Sequence, residues 1–598
     1  MKRHLTHKRL LMVMAVCLLV VPALEPVYAA NIDLPLSQAM AAADPDAAIP
    51  VIIRLTGDAH PSSAHGGAVA AGKLAELMQT QSAASQGLLR AFLNSQGITK
   101  IISLWIINGF AVSLTLDQIV QIAGRPDVAS IVLDDVIPVP AMPEASSAAI
   151  IDGAWDNLGT IHAPALWLSG IDGSGVVVAT MDTGVDPNHP DLADKYRGGS
   201  NSWYDPNGQH PSPYDASGHG TQVMGIMVGG SAGDRATGVA PGARWIAAKI
   251  FNDAGFASYS AIHLAFQWTL NPDGLPDTAD HPDIVNNSWG LVNAVGQCVS
   301  EFRQDVQVLK NAGIAVVFSG GNYGPADNTS VSPANYPESF AVGAVDVTLT
   351  ASTTGSRGPS RCDDTIFPEA SAPGIGIFTT DRTFGGTYPY SYVLATGSSF
   401  AAPHVSGAMA LLKDAHPGAT VGDLESVLID TAKDLGTIGA DNTYGYGVID
   451  VAAAEGQLTT PAGCLDTDSD GYFNAAGCGT AVDCNDADAA INPSSAEVRL
   501  DGIDQNCNGY DLTILVTAAT YFTSEDKLSV TATSAYKASA AIVLAGYGAM
   551  KYDRKKNLWS ISASGVGGNP GKVIVSGMEG ATTAAVTVQS SSGGKGRK

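Results

Sequence analysis

The middle of the chain, from about residue 150 to 455, alternates short apolar runs with segments of helical periodicity. Five runs are almost continuously apolar: GVVVATMD (175–182), RWIAAKI (244–250), DIVNNSW (283–289), GIAVVFSGGN (313–322) and SFAVGAVD (339–346). Strands that are buried on both faces have this composition, and their alternation with helices is typical of a parallel sheet with helices on both faces. The pattern therefore predicts an α/β fold, in which ligands bind at the carboxyl ends of the strands.

Four polar residues stand where such a sheet binds ligands. Asp182 closes the first run, Asn322 follows the fourth, and His219 and Ser399 each open a helix after a glycine-containing turn. A serine hydroxyl needs a base to take its proton, and an imidazole base needs a carboxylate to hold its tautomer. The developing oxyanion needs donors, which the Asn322 amide and the Ser399 backbone N–H can supply. The set predicts a catalytic triad of Asp182, His219 and Ser399, assisted by Asn322.

The segments that carry these residues, VVVATMDTG, DASGHGTQVMG and ATGSSFAAPHVSGAMALL, resemble those of the subtilisin-like serine proteases (subtilases), in the same order. NTYGYGVIDVAAA (442–454) resembles the end of that catalytic domain, which we place at 146–456. The resemblance implies a serine endopeptidase that works through an acyl-enzyme. Three positions depart from the family pattern: Ser398 replaces a commoner Thr, Gln222 a usual His, and Phe400 a common Met. None removes a group that the chemistry requires.

The resemblance also implies where a substrate binds. Two tripeptides are expected to contact it: Ser288, Trp289 and Gly290, then Ser319, Gly320 and Gly321. The first should be a strand that pairs with the substrate backbone, and the second should line the first specificity pocket. Because the small Ser and Gly walls leave room for a large apolar side chain, we predict broad specificity with an apolar preference.

The net charge of the chain argues against one class of function, the binding of nucleic acid. Acidic residues number 57 and basic residues 32, for a formal net charge of −25. Such a surface repels phosphate backbones, so we expect no nucleic-acid partner, and the expected partners are protein or peptide substrates. The rival hypothesis is a non-catalytic calcium-dependent surface or adhesion protein on a protease scaffold, against which the intact set of four polar residues argues.

The N-terminus has the features of a secretory signal peptide, which we place at 1–30. Residues 1–10 are basic, residues 10–24 are apolar, and VYAA (27–30) ends in small residues, in the order of a cleavable signal. A membrane anchor is the alternative, but a span needs about 20 apolar residues and this run is shorter. Cys17 lies within the run and is removed with it. We therefore predict a secreted protein without a membrane span.

Residues 31–145 show strands and helices in the order βαββαβ. The strands are expected at 49–55, 101–106, 109–115 and 128–135, and the helices at 67–96 and 115–124. This order predicts a small ferredoxin-like α+β domain. It resembles the propeptide of subtilases, which implies an intramolecular chaperone and inhibitor that is cut near the Ala- and Pro-rich linker 136–149. The alternative is an ordinary N-terminal binding domain.

Residues 460–512 are acidic and Cys-rich, with the spacing of calcium loops. DTDSDGYFN (466–474) fits the first positions of such a loop, DQNCNGY (504–510) repeats it, and DCNDAD (483–488) lies between them. The expected ligands are Asp466, Asp468, Asp470, Tyr472, Asp483, Asp486, Asp488, Asp504, Asn506 and Asn508. Both loops lack the final Glu of an EF-hand, which argues against that motif.

The same segment resembles a short metal-binding repeat of bacterial surface proteins. The repeat has the pattern DCxD…NP…E…DGxDxxCxG, matched here by Asp483, Cys484, Asp486, Asn492, Pro493, Glu497, Asp501, Gly502, Asp504, Cys507 and Gly509. Leu500 replaces a frequent Cys. Dense hard oxygens favour Ca²⁺ over transition metals, so calcium is the expected cofactor. The alternative is a solvated acidic linker that disulfides hold together.

Six cysteines remain once Cys17 is removed, and an exported chain permits disulfides. Cys298 and Cys362 either bond to each other or remain free. The four in the acidic segment allow three pairings: Cys464, Cys478, Cys484 and Cys507.

Residues 513–589 contain six short alternating strands, which predict a small β-sandwich. Basic residues exceed acidic ones from residue 513 onward, and no catalytic set is present. The domain is expected either to bind a cell-surface or matrix ligand or to serve as a plain stabilising or secretion domain. The tail 590–598 is expected to be disordered.

Overall fold

The structure is a computed structural model that describes residues 30–44, 46–57, 68–140, 156–458, 467–468, 470–474 and 480–590. The predicted signal peptide, the linker from residue 141 and the tail from residue 591 lie outside these ranges. The chain divides into two compact units. The first consists of the described residues up to 57, Met78–Val136 and Ser258–Ser260, and the second contains the rest.

The first unit is a five-stranded sheet with strands in the order β1-β5-β2-β4-β3. The strands are β1 (Asn31–Ile32), β2 (Ile49–Leu55), β3 (Ile102–Leu104), β4 (Gly109–Leu114) and β5 (Val128–Leu133). The helices are α1 (Leu34–Ala42), α2 (Ala68–Ser95, in this unit from Met78) and α3 (Leu116–Ala123). Strands and helices stand at all six predicted places. The structure also contains β1 and α1, which were not predicted from the sequence. A strand of two residues is too short to show periodicity, and the N-terminus of α1 is capped by the side chain of Asp33.

The second unit is built on a seven-stranded sheet in the order β14-β13-β12-β11-β7-β9-β8, and its six neighbouring pairs are all parallel. The strands from Val136 to Ala395 are β6 (Val136–Pro138), β7 (Val177–Asp182), β8 (Trp203–Tyr204), β9 (Arg244–Lys249), β10 (Phe256–Ser258), β11 (Ile284–Asn287), β12 (Ala315–Ser319), β13 (Phe340–Val345), β14 (Ala370–Pro373), β15 (Ile377–Thr380) and β16 (Tyr392–Ala395). The five apolar runs are all strands of this sheet, which confirms the predicted α/β fold.

Helices cover the sheet, and one of them lies wholly in the core. They are α4 (Asn157–Thr160), α5 (Ala163–Leu168), α6 (Pro190–Ala193), α7 (His219–Val228), α8 (Tyr259–Leu270), α9 (Arg303–Asn311), α10 (Ser398–Ala415), α11 (Val421–Asp430) and α12 (Val451–Gln457). Every residue of α10 from Ser398 to Leu412 is buried, and the helix packs against α7 and against β11 to β14. Because most of its buried residues are apolar, it forms the centre of the core and holds its own N-terminus in place.

One predicted element needs correction. The tripeptide Ser288–Gly290 was expected to be a strand, but β11 ends at Asn287 and the next three residues have no strand partner among the described residues. β11 pairs with β12 over Ile284–Asn287 and with β7 over Ile284–Asn286, so the pairing with both neighbours ends before Ser288.

The C-terminal residues form two sheets that share one apolar core. The first has the order β21-β22-β18-β17-β25 and the second β20-β19-β23-β24. Their strands are β17 (Leu515–Phe522), β18 (Lys527–Thr533), β19 (Val543–Leu544), β20 (Gly548–Ala549), β21 (Lys551–Asp553), β22 (Leu558–Ser564), β23 (Lys572–Gly577), β24 (Gly580–Ala585) and β25 (Thr587–Gln589). Side chains of both sheets, such as Val530 and Val575, belong to one buried cluster, as a β-sandwich requires.

Two disulfides lie within the described residues, Cys298–Cys362 and Cys484–Cys507. The first settles the choice that the sequence left open, and the second is one of the pairings available to the acidic segment. Cys464 and Cys478 lie outside the described residues. Among the described helices, none has the length and apolar composition needed to cross a bilayer.

Candidate active site

A buried carboxylate and imidazole meet where β7 ends and α7 begins. The Nδ1 of His219 lies 2.8 Å from Oδ1 and 3.0 Å from Oδ2 of Asp182, and both side chains are almost fully buried. The same Oδ1 accepts a hydrogen bond of 2.7 Å from the backbone N–H of Thr183. A carboxylate at Nδ1 holds the proton on that nitrogen, which leaves Nε2 as the basic atom of the ring.

The electrostatics of this pair favour a basic imidazole. Burial lowers the pKa of His219, but the negative charge of Asp182, its hydrogen bond and the charge of Asp215 raise it by more. The net result is a pKa above the ordinary value of histidine. The Nε2 atom is buried and has no hydrogen-bond partner among the described residues.

Asp215 organises the backbone just before His219, and sequence reasoning missed it. Its carboxylate accepts hydrogen bonds from the N–H groups of Ser217, Gly218 and Thr221 and from the Thr221 hydroxyl, at 2.7–2.9 Å. These contacts satisfy amides of the first turn of α7 that have no intrahelical partner. An Asp placed four residues before a helix-opening His was the signal that could have found it.

Ser399 lies in the first turn of α10, after Gly397, whose φ of 142° favours glycine. Its hydroxyl donates to the carbonyl of Ser288 at 3.3 Å, and the Ser288 hydroxyl donates to the carbonyl of Ser399 at 2.8 Å. The ring of Phe400, the next residue, has its centroid 5.5 Å from that of His219. The turn that carries Ser399 is therefore hydrogen-bonded to Ser288, just after the end of β11, and the next residue, Phe400, packs near the imidazole.

Asn322 and Ser398 fix each other beside this turn. The backbone N–H of Ser398 donates to Oδ1 of Asn322 at 3.0 Å, and the N–H of Gly321 donates to the Ser398 hydroxyl at 3.0 Å. Since Oδ1 is the acceptor, the orientation of the amide is fixed and its Nδ2 donor stands 3.2 Å from the place a Cβ on Gly397 would occupy. The Ser398 hydroxyl thus supports the turn through its hydrogen bond from Gly321, and this structural role distinguishes Ser398 from the predicted nucleophile Ser399.

The two predicted substrate tripeptides face a residue that the sequence did not single out. The indole of Trp289 is 2% exposed and packs on Phe302 and Phe318, so only its backbone is available to a ligand. A Cβ built on Gly290 or on Gly321 would lie 3.1 Å from Cγ2 of Val331. The Val331 side chain, which is 1% exposed, therefore packs against these two glycines and leaves little room for a side chain at either position.

The acidic segment brings together only part of its predicted ligand set. Carboxylate oxygens of Asp468, Asp470 and Asp483 lie within 4.8 Å of one another. Asp483 is 4% exposed, and its Oδ2 is buried without a hydrogen-bond partner among the described residues. A buried carboxylate oxygen left alone is costly, so the donor set fits a cation. The N–H of Tyr472 donates to Oδ1 of Asp470.

The other predicted ligands bond elsewhere. The carboxylate of Asp486 accepts from Thr467, and that of Asp488 accepts from Ala490. In the second loop, backbone N–H groups of the loop itself donate to the side chains of Asp504, Asn506 and Asn508. Asp466 lies outside the described residues.

Known families match two parts of the chain. The Subtilase family (Peptidase S8) matches residues 173–447, and a family described as "Putative metal-binding motif" (Cu-binding MopE) matches residues 483–511.

Three relatives illustrate the similarity. Bacillopeptidase F of Bacillus subtilis (strain 168) is 35% identical over 423 residues, which are 65% of this chain and 29% of the relative. Subtilisin E of Bacillus subtilis (strain 168) is 35% identical over 296 residues, 49% of this chain and 69% of the relative. Subtilisin of Bacillus pumilus is 34% identical over 296 residues, 49% of this chain and 96% of the relative. The chain thus spans less than a third of the length of Bacillopeptidase F and almost all of the Bacillus pumilus subtilisin.

Proposed function

The chain belongs to the subtilase family, and on that premise we propose that it is a secreted serine endopeptidase that hydrolyses peptide bonds through Asp182, His219 and Ser399. The single observation that carries the proposal is the buried Asp182–His219 pair beside the helix turn that bears Ser399. Nothing in the described residues favours the non-catalytic adhesion hypothesis.

The proposed mechanism follows from the geometry. The Ser399 hydroxyl turns from the carbonyl of Ser288 to Nε2 of His219, gives up its proton and attacks the scissile carbonyl. The Nδ2 of Asn322 and the first-turn N–H of Ser399 then hold the oxyanion. His219 returns the proton to the leaving amine, and water hydrolyses the acyl-enzyme by the same path in reverse.

Covalent labelling tests this function directly. We expect a fluorophosphonate, which reacts only with activated serines, to add one label per enzyme molecule at Ser399, because the proposed base His219 would activate that hydroxyl. Intact mass and peptide mapping measure it, and heat-denatured protein is the control. Labelling at another serine, or none together with no hydrolysis of casein, would contradict the proposal.

The specificity pocket is proposed to accept apolar side chains on the acyl side of the scissile bond. Ser319, Gly320 and Gly321 have small or no side chains, which would leave space for a large one of the substrate. We therefore propose broad specificity with a preference for apolar side chains. The first unit is proposed to act as a propeptide, chaperone and inhibitor of the same chain, removed by cleavage near the linker 136–149.

Calcium is the proposed cofactor of the acidic segment, with Asp468, Asp470 and Asp483 as the residues that would hold it. Three clustered carboxylates are hard donors, and Ca²⁺ prefers such oxygens. Cys484 and Cys507 are joined in a disulfide and therefore offer no thiolate to a copper ion. The bound ion would stabilise the folded segment without entering the peptidase reaction.

Asp483→Asn is expected to remove one calcium ion from the stoichiometry of the full chain, measured by calorimetry. At calcium a hundredfold above its dissociation constant, the wild type should also gain about 2.7 kcal/mol of unfolding free energy from this site, which the variant loses. Asp488→Asn is the matched control, because that exposed carboxylate only accepts the N–H of Ala490. If Asp483→Asn and the wild type bind the same number of calcium ions per chain, the proposed calcium site at Asp483 is wrong.

A further inference from the structure

A loop of exposed aromatic residues lies beside the turn that carries His219. It connects β15 to β16 and covers residues 381–391, which we call the aromatic loop. Within it, Phe384, Tyr388 and Tyr390 are 58%, 62% and 65% exposed. Single apolar residues on a surface need no explanation, but three aromatic rings within seven residues are an apolar patch of the kind that binds other molecules.

The base of the loop is attached to the backbone around His219. A Cβ on Gly218 would lie 2.9 Å from Oδ1 of Asp381, and the side chain of Gln222 donates to that same oxygen at 3.1 Å. Arg382 donates to the carbonyl of Ala216. These contacts hold the aromatic loop against the residues on both sides of the proposed base.

Hydrogen bonds of Thr383 fix the first part of the loop in spite of the exposure of its rings. Thr383 donates both its N–H and its hydroxyl to the buried carboxylate of Asp186 at 2.7 Å. Its own hydroxyl oxygen accepts the N–H of Gly386, and its carbonyl accepts the N–H of Tyr388. Ordering a loop costs conformational entropy, and the burial of apolar side chains usually offsets that free-energy cost. Because the three rings of this loop are exposed, they offset little of it.

The backbone holds Phe384 in a conformation that aromatic residues rarely adopt. Its φ is 53°, followed by 71° at Gly385 and 85° at Gly386. Left-handed backbone at a bulky residue is strained, and such strain is typical of functional sites. The guanidinium of Arg382 lies 4.8 Å from the Phe384 ring, which meets the Tyr388 ring edge to face at 6.0 Å. The Phe384 and Tyr388 rings are thus in contact with each other, and Tyr390 is exposed two residues further along the loop.

We propose that the aromatic loop binds the part of the substrate polypeptide that follows the scissile bond, through apolar or aromatic side chains. The inference rests on the proposed function. His219 must protonate the leaving amine, so the leaving segment departs on the side of the imidazole, where this loop is attached. The part of the substrate before the scissile bond, the acyl side, is proposed to contact Ser288–Gly290 and Ser319–Gly321. From Thr383 to Ser391 the loop carries no charged residue, so recognition is by apolar contact and not by ion pairs.

Three substrates with one common acyl side test the proposal. The first is an anilide with no residues after the scissile bond, the second is a quenched peptide with Phe and Leu after it, and the third has Ser and Gly there. The variant carries Phe384→Ser, Tyr388→Ser and Tyr390→Ser. The control carries Leu168→Ser and Ile438→Ser, two apolar residues that are 92% and 98% exposed.

The triple variant is expected to lose about tenfold in kcat/KM on the Phe- and Leu-containing peptide, mainly through a higher KM, because the lost contacts are uniform binding. On the anilide, all three enzymes should agree within about twofold, which also shows that the variant is folded. Equal loss on the Ser- and Gly-containing peptide, or no loss on either, would overturn the proposal. A wild type that hydrolyses none of the three substrates would instead overturn the proposed function. If the triple variant does not fold, the single variant Tyr390→Ser is compared with the wild type on the same three substrates, and the same outcomes support or overturn the proposal.

Discussion

Ser399→Ala is expected to lower kcat for peptide hydrolysis by about a millionfold, whereas Ser398→Ala should stay within about tenfold of the wild type. The first figure is the loss known for the nucleophile of subtilisin, which we adopt and do not derive. The contrast between the two neighbours does follow from the structure. The Ser398 hydroxyl accepts the N–H of Gly321 and supports the turn, while the Ser399 hydroxyl only donates to a carbonyl and is free to turn.

Two readouts check this expectation. Steady-state hydrolysis of a chromogenic peptide gives kcat, and N-terminal sequencing with intact mass shows whether the first unit is removed. Ser399→Ala should remain full length, while the wild type and Ser398→Ala lose the residues up to the linker. The reverse pattern, with Ser398→Ala inactive and Ser399→Ala processed, would reassign the nucleophile. Processing of both variants alike would mean that another protease cuts the linker.

The sequence was sufficient for the large architecture because the sheet is buried. A strand that is covered on both faces must be apolar throughout, so the runs at 175–182, 244–250 and 313–322 could be recognised without tertiary information. The positions of Asp182 and Asn322 followed, since the chemistry of such folds lies where the strands end. The tripeptide at 288–290 could not be assigned in this way, because a strand depends on a neighbour as well as on its own residues.

The parts that the sequence could not predict depend on contacts between distant segments. Val331 is an ordinary apolar residue in the sequence, and only the fold brings it to Gly290 and Gly321. Exposure of Phe384 and its neighbours is equally invisible, because an aromatic residue is expected in a core. The local pattern of apolar and polar residues predicts helices and strands, but it does not show which side chains of different helices and strands contact each other.

The acidic segment shows a different limit, which is chemical. Asp and Asn bind cations through the same oxygens that accept backbone N–H groups in turns, so spacing alone predicts both. In the loop 504–510 the oxygens accept N–H groups of the loop itself, whereas Asp468, Asp470 and Asp483 converge. The Oδ2 of Asp483, which is buried and has no hydrogen-bond partner within the part of the chain that the structure describes, separates the two cases, and burial is a property of the fold.

Asp182→Asn should lower kcat by about 10⁴-fold and move the acid limb of the pH profile to lower pH. The Oδ1 and Oδ2 atoms of Asp182 lie 2.8 and 3.0 Å from Nδ1 of His219, and the N–H of Thr183 fixes Oδ1, so an asparagine places its NH₂ at the Oδ2 position beside Nδ1. The amide carries no negative charge to stabilise the imidazolium that forms during the reaction, and its NH₂ competes with its carbonyl for Nδ1, which increases the fraction of the tautomer with the proton on Nε2.

The direction of the pH shift follows from what raises the pKa of His219. Burial lowers that pKa, and the charge and hydrogen bond of Asp182 are the largest contributions that oppose it. Without them the pKa falls, and the neutral imidazole that catalysis requires persists to lower pH. The profile of kcat/KM against pH measures this, with Asp450→Asn as the matched control, because Asp450 also lies 2.9 Å from a histidine Nδ1, that of the exposed His162. A profile of Asp182→Asn that keeps the wild-type acid limb would show that a group other than His219 governs it.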